Sequence, residues 1–101
     1  MTERAEIQVT IEDPFARRLI VKYLGHRKSD IESLRQALGD GDYASIRDKG
    51  HNLFGSGSAY GLDRVSELGA MLEKAAKKEH SGSIAEIIDA LESYVDNVTV
   101  A

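Results

Sequence analysis

The sequence predicts an all-α protein: an antiparallel four-helix bundle, its first helix long or kinked, preceded by a short N-terminal arm. Three observations carry this. Apolar residues recur at three- and four-residue spacing through most of the chain. Turn-forming clusters interrupt them at Gly39-Asp40-Gly41, Ser56–Gly61 and Ser81-Gly82-Ser83. The 101 residues, 42% hydrophobic and 30% charged, suffice for one core and one domain.

Residues 1–12 alternate weakly through Ile7, Val9 and Ile11 and read as the arm, leaving 13–101 as the bundle. Asp13-Pro14 starts the first helix, because aspartate caps free N–H groups and proline is tolerated where its missing donor is not needed. Phe15, Leu19, Ile20, Tyr23, Leu24, Ile31, Leu34 and Leu38 then share one arc of about 180°. The polar stretch Gly25–Asp30 interrupts them without changing their phase, which allows one long helix or two meeting at a kink. Gly39-Asp40-Gly41 ends that segment.

Asp42 caps a helix over about residues 43–57, with Tyr43, Ile46 and Leu53 inward, and Ser56–Gly61 is turn chemistry. Asp63 lies near the start of the next helix, whose buried stripe is Leu62, Val65, Leu68, Leu72 and Ala75. Lys77 and Lys78 suit the negative end of its dipole. Ser81-Gly82-Ser83 reads as a loop. The last helix, about 83–98, sets Ile84, Ile87, Ile88, Leu91, Tyr94, Val95 and Val98 on one face. Glu86, Asp89, Glu92 and Asp96 form the other, a solvated surface.

Composition narrows the function. A net charge of −4 gives no reason to expect nucleic acid or an anionic membrane as partner. The absence of cysteine removes disulfides, thiolate zinc sites and cysteine nucleophiles. The first ten residues have no apolar h-region, and the longest run of large apolar residues is Leu19-Ile20-Val21. A cytoplasmic monomer is the expectation. No Gly-x-x-x-x-Gly-Lys loop occurs, so no ATP site is expected. His26 and His80 lie in polar stretches and read as surface residues, and no zinc spacing surrounds His51.

Residues 47–61, RDKGHNLFGSGSAYG, depart from plain bundle sequence. Four glycines fall here, and each one inside a helix costs about 1 kcal/mol against alanine. A helical wheel points Gly50 and Gly57 inward, toward a closely packed neighbour, and puts His51 about 120° from the buried centre. Gly55, one turn beyond His51 on the outer side, leaves bare surface beside the imidazole. Ser56 and Ser58 lie near, but no third group orients a Ser–His pair.

The run His51-Asn-Leu-Phe-Gly55-Ser-Gly-Ser-Ala-Tyr-Gly61 resembles the motif of histidine phosphotransfer (HPt) domains, H-x-L-K-G-S with a further glycine ten residues after the histidine. His51, Leu53, Gly55, Ser56 and Gly61 match it. The Asp-Pro start, Tyr23-Leu24, Leu34…Ala37-Leu38 before Gly-Asp-Tyr, and Leu68…Leu72-Glu73 are also similar to small bacterial HPt domains. One position departs: Phe54 stands where the family usually has lysine. Arg47, one turn before His51 on the same side, is the expected partial substitute.

The resemblance implies a phosphoryl carrier in a two-component phosphorelay, with His51 as the accepting residue. A neutral imidazole has the unprotonated nitrogen this needs. The implied partners are the receiver domain of a response regulator and a hybrid sensor histidine kinase. Mg²⁺ then belongs to the receiver, and the chain is a co-substrate with no cofactor or metal of its own. Arg47, Phe54 and Gly55 would form the phosphate environment, and Ala44, Asp48, Phe54, Gly55 and Ser58 the docking surface. Leu24, His26 and Arg27 would join if the first helix packs alongside. The alternative is an HPt-like interaction module that binds without carrying phosphate, with Phe54 the sign of lost chemistry.

Overall fold

A computed structural model describes residues 7–9 and 11–100. Four helices form the bundle: α1 (Pro14–Asp40), α2 (Tyr43–Gly57), α3 (Asp63–Lys77) and α4 (Ser81–Asn97). A single 3₁₀ turn, Ser58–Tyr60, joins α2 to α3. Two short strands, β1 (Ile7–Val9) and β2 (Val98–Val100), pair in parallel with Ile7 opposite Val98. Of the arm, residues 1–6 and 10 lie outside the described residues, and Ile7–Val9 are extended.

α1 is one unbroken helix through the polar stretch in its middle, where Arg27 and Asp30 are partly covered and the other residues exposed. Asp13 caps it by accepting the N–H of Phe15, and Gly41 closes it at φ 69°, a conformation glycine adopts freely. Not all eight of its inward residues are covered. Phe15 and Leu19 are 61% and 43% exposed, because α1 has 27 residues against 15–17 in the other helices, and its first turns overhang the bundle. Asp42 caps α2 through the N–H and hydroxyl of Ser45, and those bonds hold its carboxyl below the usual aspartate range.

One boundary differs from the sequence reading. α2 ends at Gly57 as expected, and the turn after it takes in only the end of Ser56–Gly61, with Gly61 at φ 74°. Ser81-Gly82-Ser83 is not a loop but the first turn of α4. His80 makes that possible: its Nδ1 accepts from the N–H of Ser83 and sits 2.7 Å from the Ser83 hydroxyl. A histidine N-cap has no place among the usual capping residues, which is why serine and glycine here suggest a loop.

The core runs the length of the bundle through Leu34, Ile46, Leu53, Leu62, Leu68, Leu72, Ile84, Ile88 and Leu91, all essentially inaccessible. α2 packs on α3 far more intimately than any other pair. A β-carbon added at Gly50 would lie 2.7 Å from the Glu73 nitrogen and the Gly69 oxygen. One added at Gly69 would lie 2.5 Å from the Phe54 nitrogen. Backbone therefore meets backbone along a seam of Gly50, Gly57 and Gly69. Across the bundle, Arg35 of α1 bonds Asp89 and Glu92 of α4 at 3.0 and 2.7 Å.

Candidate functional site

With Ile46 and Leu53 buried, helical geometry turns His51 outward, and its side chain is 69% exposed. What lies beside it follows from Gly50. Because α3 presses against α2 at that residue, Glu73 starts from backbone already in contact with α2, and its side chain reaches the next residue along. Both Glu73 carboxylate oxygens lie 3.4 Å from His51 Nδ1, long for a hydrogen bond but short enough to orient the ring. Glu73 is three-quarters covered, and Lys77, one turn on, sets its Nζ 3.8 Å from Oε2. A carboxylate only accepts, so an Nδ1–H turned to Glu73 would leave the lone pair on Nε2, which has no partner among the described residues.

Around the imidazole, Ala44, Arg47, Asp48, Phe54, Gly55 and Ser58 are all exposed on the same side of α2. A β-carbon at Gly55 would meet nothing within 4 Å. Phe54 is 52% exposed, its ring at the surface while its backbone forms part of the seam. Arg47 stays on its own helix, Nε 3.7 Å from Asp48 Oδ1. Of the second group, His26 is exposed and Arg27 partly covered, but Leu24 is buried in the core and cannot contribute to docking.

α1 does pack alongside, and a groove of about 540 Å³ separates it from α2. Lys22, His26 and Lys49 line it. Its floor is a stack: the Arg27 guanidinium lies 4.1 Å from the Tyr23 ring centre, and that ring stacks on Tyr60 at 4.3 Å. Asp30 holds Arg27 at 2.7 Å and Lys49 at 3.0 Å. The Ser56 hydroxyl bonds Tyr23 at 2.7 Å and so faces α1, away from His51.

Glu73 is the neighbour of His51 that sequence reading did not place there. Nothing in spacing links residues 51 and 73. Gly50 signals a close neighbouring helix, but the residue it meets, Gly69, lies in a regular helix that no local pattern marks. Among the described residues, no three histidine or carboxylate side chains gather as a metal site, and no helix is long and apolar enough to cross a membrane.

Fold and site together define a helical bundle that presents one exposed, carboxylate-oriented histidine to a docking partner. The chain belongs to the Hpt domain family, whose model matches residues 18–100. Membership gives it a phosphotransfer-related role in two-component signalling and implies receiver domains and histidine kinases as partners. No curated protein and no solved structure matches the chain.

Proposed function

We propose that this chain carries a phosphoryl group on Nε2 of His51, taking it from one receiver domain and passing it to another. The observation that carries the reading is the exposed imidazole with Nδ1 facing Glu73. A proton on Nδ1 leaves the Nε2 lone pair free to attack phosphorus. As the nitrogen–phosphorus bond forms, the bond from phosphorus to the aspartyl oxygen breaks, and its electron pair leaves on that carboxylate. The ring gains positive charge, which the Glu73 carboxylate stabilises while Nδ1 keeps its proton. Transfer onward reverses each step.

Phosphoryl transfer is chiefly positioning and electrostatics. The receiver's Mg²⁺ and lysine supply the electrostatics, and α2 supplies a placed nucleophile. Docking covers Ala44, Asp48, Phe54, Gly55 and Ser58, and the open surface at Gly55 lets the partner's backbone approach the ring. The exposed Phe54 favours a second reading, a binding module without phosphate, because an aromatic ring there strengthens docking and donates nothing to a phosphoryl group.

Transfer of labelled phosphate from a panel of phosphorylated receivers separates the two. Acid-labile label on the wild type and none on His51→Gln is the expected result. A receiver that binds both proteins equally and transfers to neither makes the binding module the better account.

A further inference from the structure

A phosphoryl group adds about two negative charges, and Glu73 already holds a carboxylate 3.4 Å from the other ring nitrogen. Phosphorylation of His51 therefore brings like charges within a few ångströms, and the site needs a cation. Phe54 supplies none. Arg47 lies along α2, Nε 3.7 Å from Asp48 Oδ1, and makes no ion pair with Glu73. Lys77 is different: its Nζ is 3.8 Å from Glu73 Oε2, at the edge of an ion pair, and its side chain is 61% exposed. A pair this long with a solvated ammonium costs little to break, and lysine's flexible stem carries three donors.

We propose that Lys77 is the phosphate-compensating residue of this site. It pairs with Glu73 while His51 is unmodified, and turns its ammonium to the phosphoryl oxygens once His51 is modified. Glu73 is then left to hold the Nδ1 proton alone. Like-charge repulsion in the modified state is thus offset from α3, by a residue 26 positions from the histidine. The inference rests on the phosphocarrier reading.

The test uses phosphoramidate, a small phosphoryl donor, so that no docking surface enters the assay. Wild type, Lys77→Gln, Lys77→Arg and Lys78→Gln are phosphorylated, and two quantities are read. One is the lifetime of the phosphohistidine after the donor is removed. The other is the pH at which its ³¹P resonance titrates, which a merely structural role would not move. Lys77→Gln is expected to shorten the lifetime about fivefold and shift the titration to higher pH. Lys77→Arg should match wild type, and Lys78→Gln, an exposed lysine one residue on, should change the lifetime less than about twofold. Equal lifetimes and titrations for wild type and Lys77→Gln overturn the role of Lys77. A wild type that takes no phosphoryl group on His51 overturns the phosphocarrier reading instead, in the first arm and before any variant is compared.

Discussion

Glu73 and the glycines near it do different work, and substitution separates them. Glu73→Gln keeps the size of the side chain but not its charge, so it should slow phosphorylation of His51 about tenfold with little change in folding, read as label uptake beside a melting curve. Gly50→Ala should instead cost about 3 kcal/mol in urea unfolding, since the new methyl meets backbone at 2.7 Å and backbone cannot swing aside. Gly55→Ala should do the reverse. The added methyl meets nothing, and the helix gains about 0.5–1 kcal/mol, while affinity for a receiver falls because the bare patch is filled. Sequence alone distinguishes these glycines correctly, because the wheel assigns Gly50 inward and Gly55 outward. It does not reveal Gly69, which lies in a regular helix with nothing to mark it, and hence it does not reveal Glu73.

At the scale of elements, helix boundaries were legible wherever a conventional cap marked them. Asp13, Gly41 and Asp42 are such caps. The start of α4 was not, because its cap is a histidine. His80→Asp is expected to raise stability by about 0.5–1 kcal/mol, since a carboxylate also suits the helix N-terminus, as measured by thermal unfolding. Asp42 makes a pH-dependent contribution. Its carboxyl is held below the usual range in the folded protein by the Ser45 hydroxyl and N–H, so the stabilisation is present above the unfolded value and is lost as pH falls through the folded one. Urea midpoints of wild type and Asp42→Asn should therefore differ at pH 6 and converge in strong acid. Arg35→Ala, which removes both bonds to α4, should cost less than about 1 kcal/mol, because that pair of contacts is solvent-exposed.

The whole molecule is electrically lopsided in a way its net charge of −4 conceals. Residues 14–28 hold Arg17, Arg18, Lys22, Arg27 and Lys28 with no acid, whereas α4 holds four acids with no lysine or arginine. The basic half of α1 borders the groove on the Ser56 face of α2, next to but not on the face that carries His51, so an acidic receiver face would be drawn to the α1–α2 side of the bundle. Raising salt from about 50 to 300 mM should slow that association about tenfold. Stopped-flow rates that ignore salt would remove the steering argument. Bundle architecture, helix count and the phosphoacceptor candidate were readable because each depends on local periodicity or a contiguous motif. The pairing of Ile7–Val9 with Val98–Val100 was not, since it joins opposite ends of the chain and each strand has only three residues. A chain of residues 11–101 should still unfold cooperatively, followed by circular dichroism, because among the described residues the buried core begins at Ile20.

The glycine seam has a further consequence, and it concerns time. Side chains that interlock between helices can change rotamer and let the helices slide, whereas α2 and α3 touch through peptide groups that have no such freedom. The helix bearing His51 and the helix bearing Glu73 therefore move as one body. The spacing of the backbones that carry imidazole and carboxylate is set when the protein folds, not when a partner arrives, so on the phosphocarrier reading less reorganisation is left for the moment of transfer.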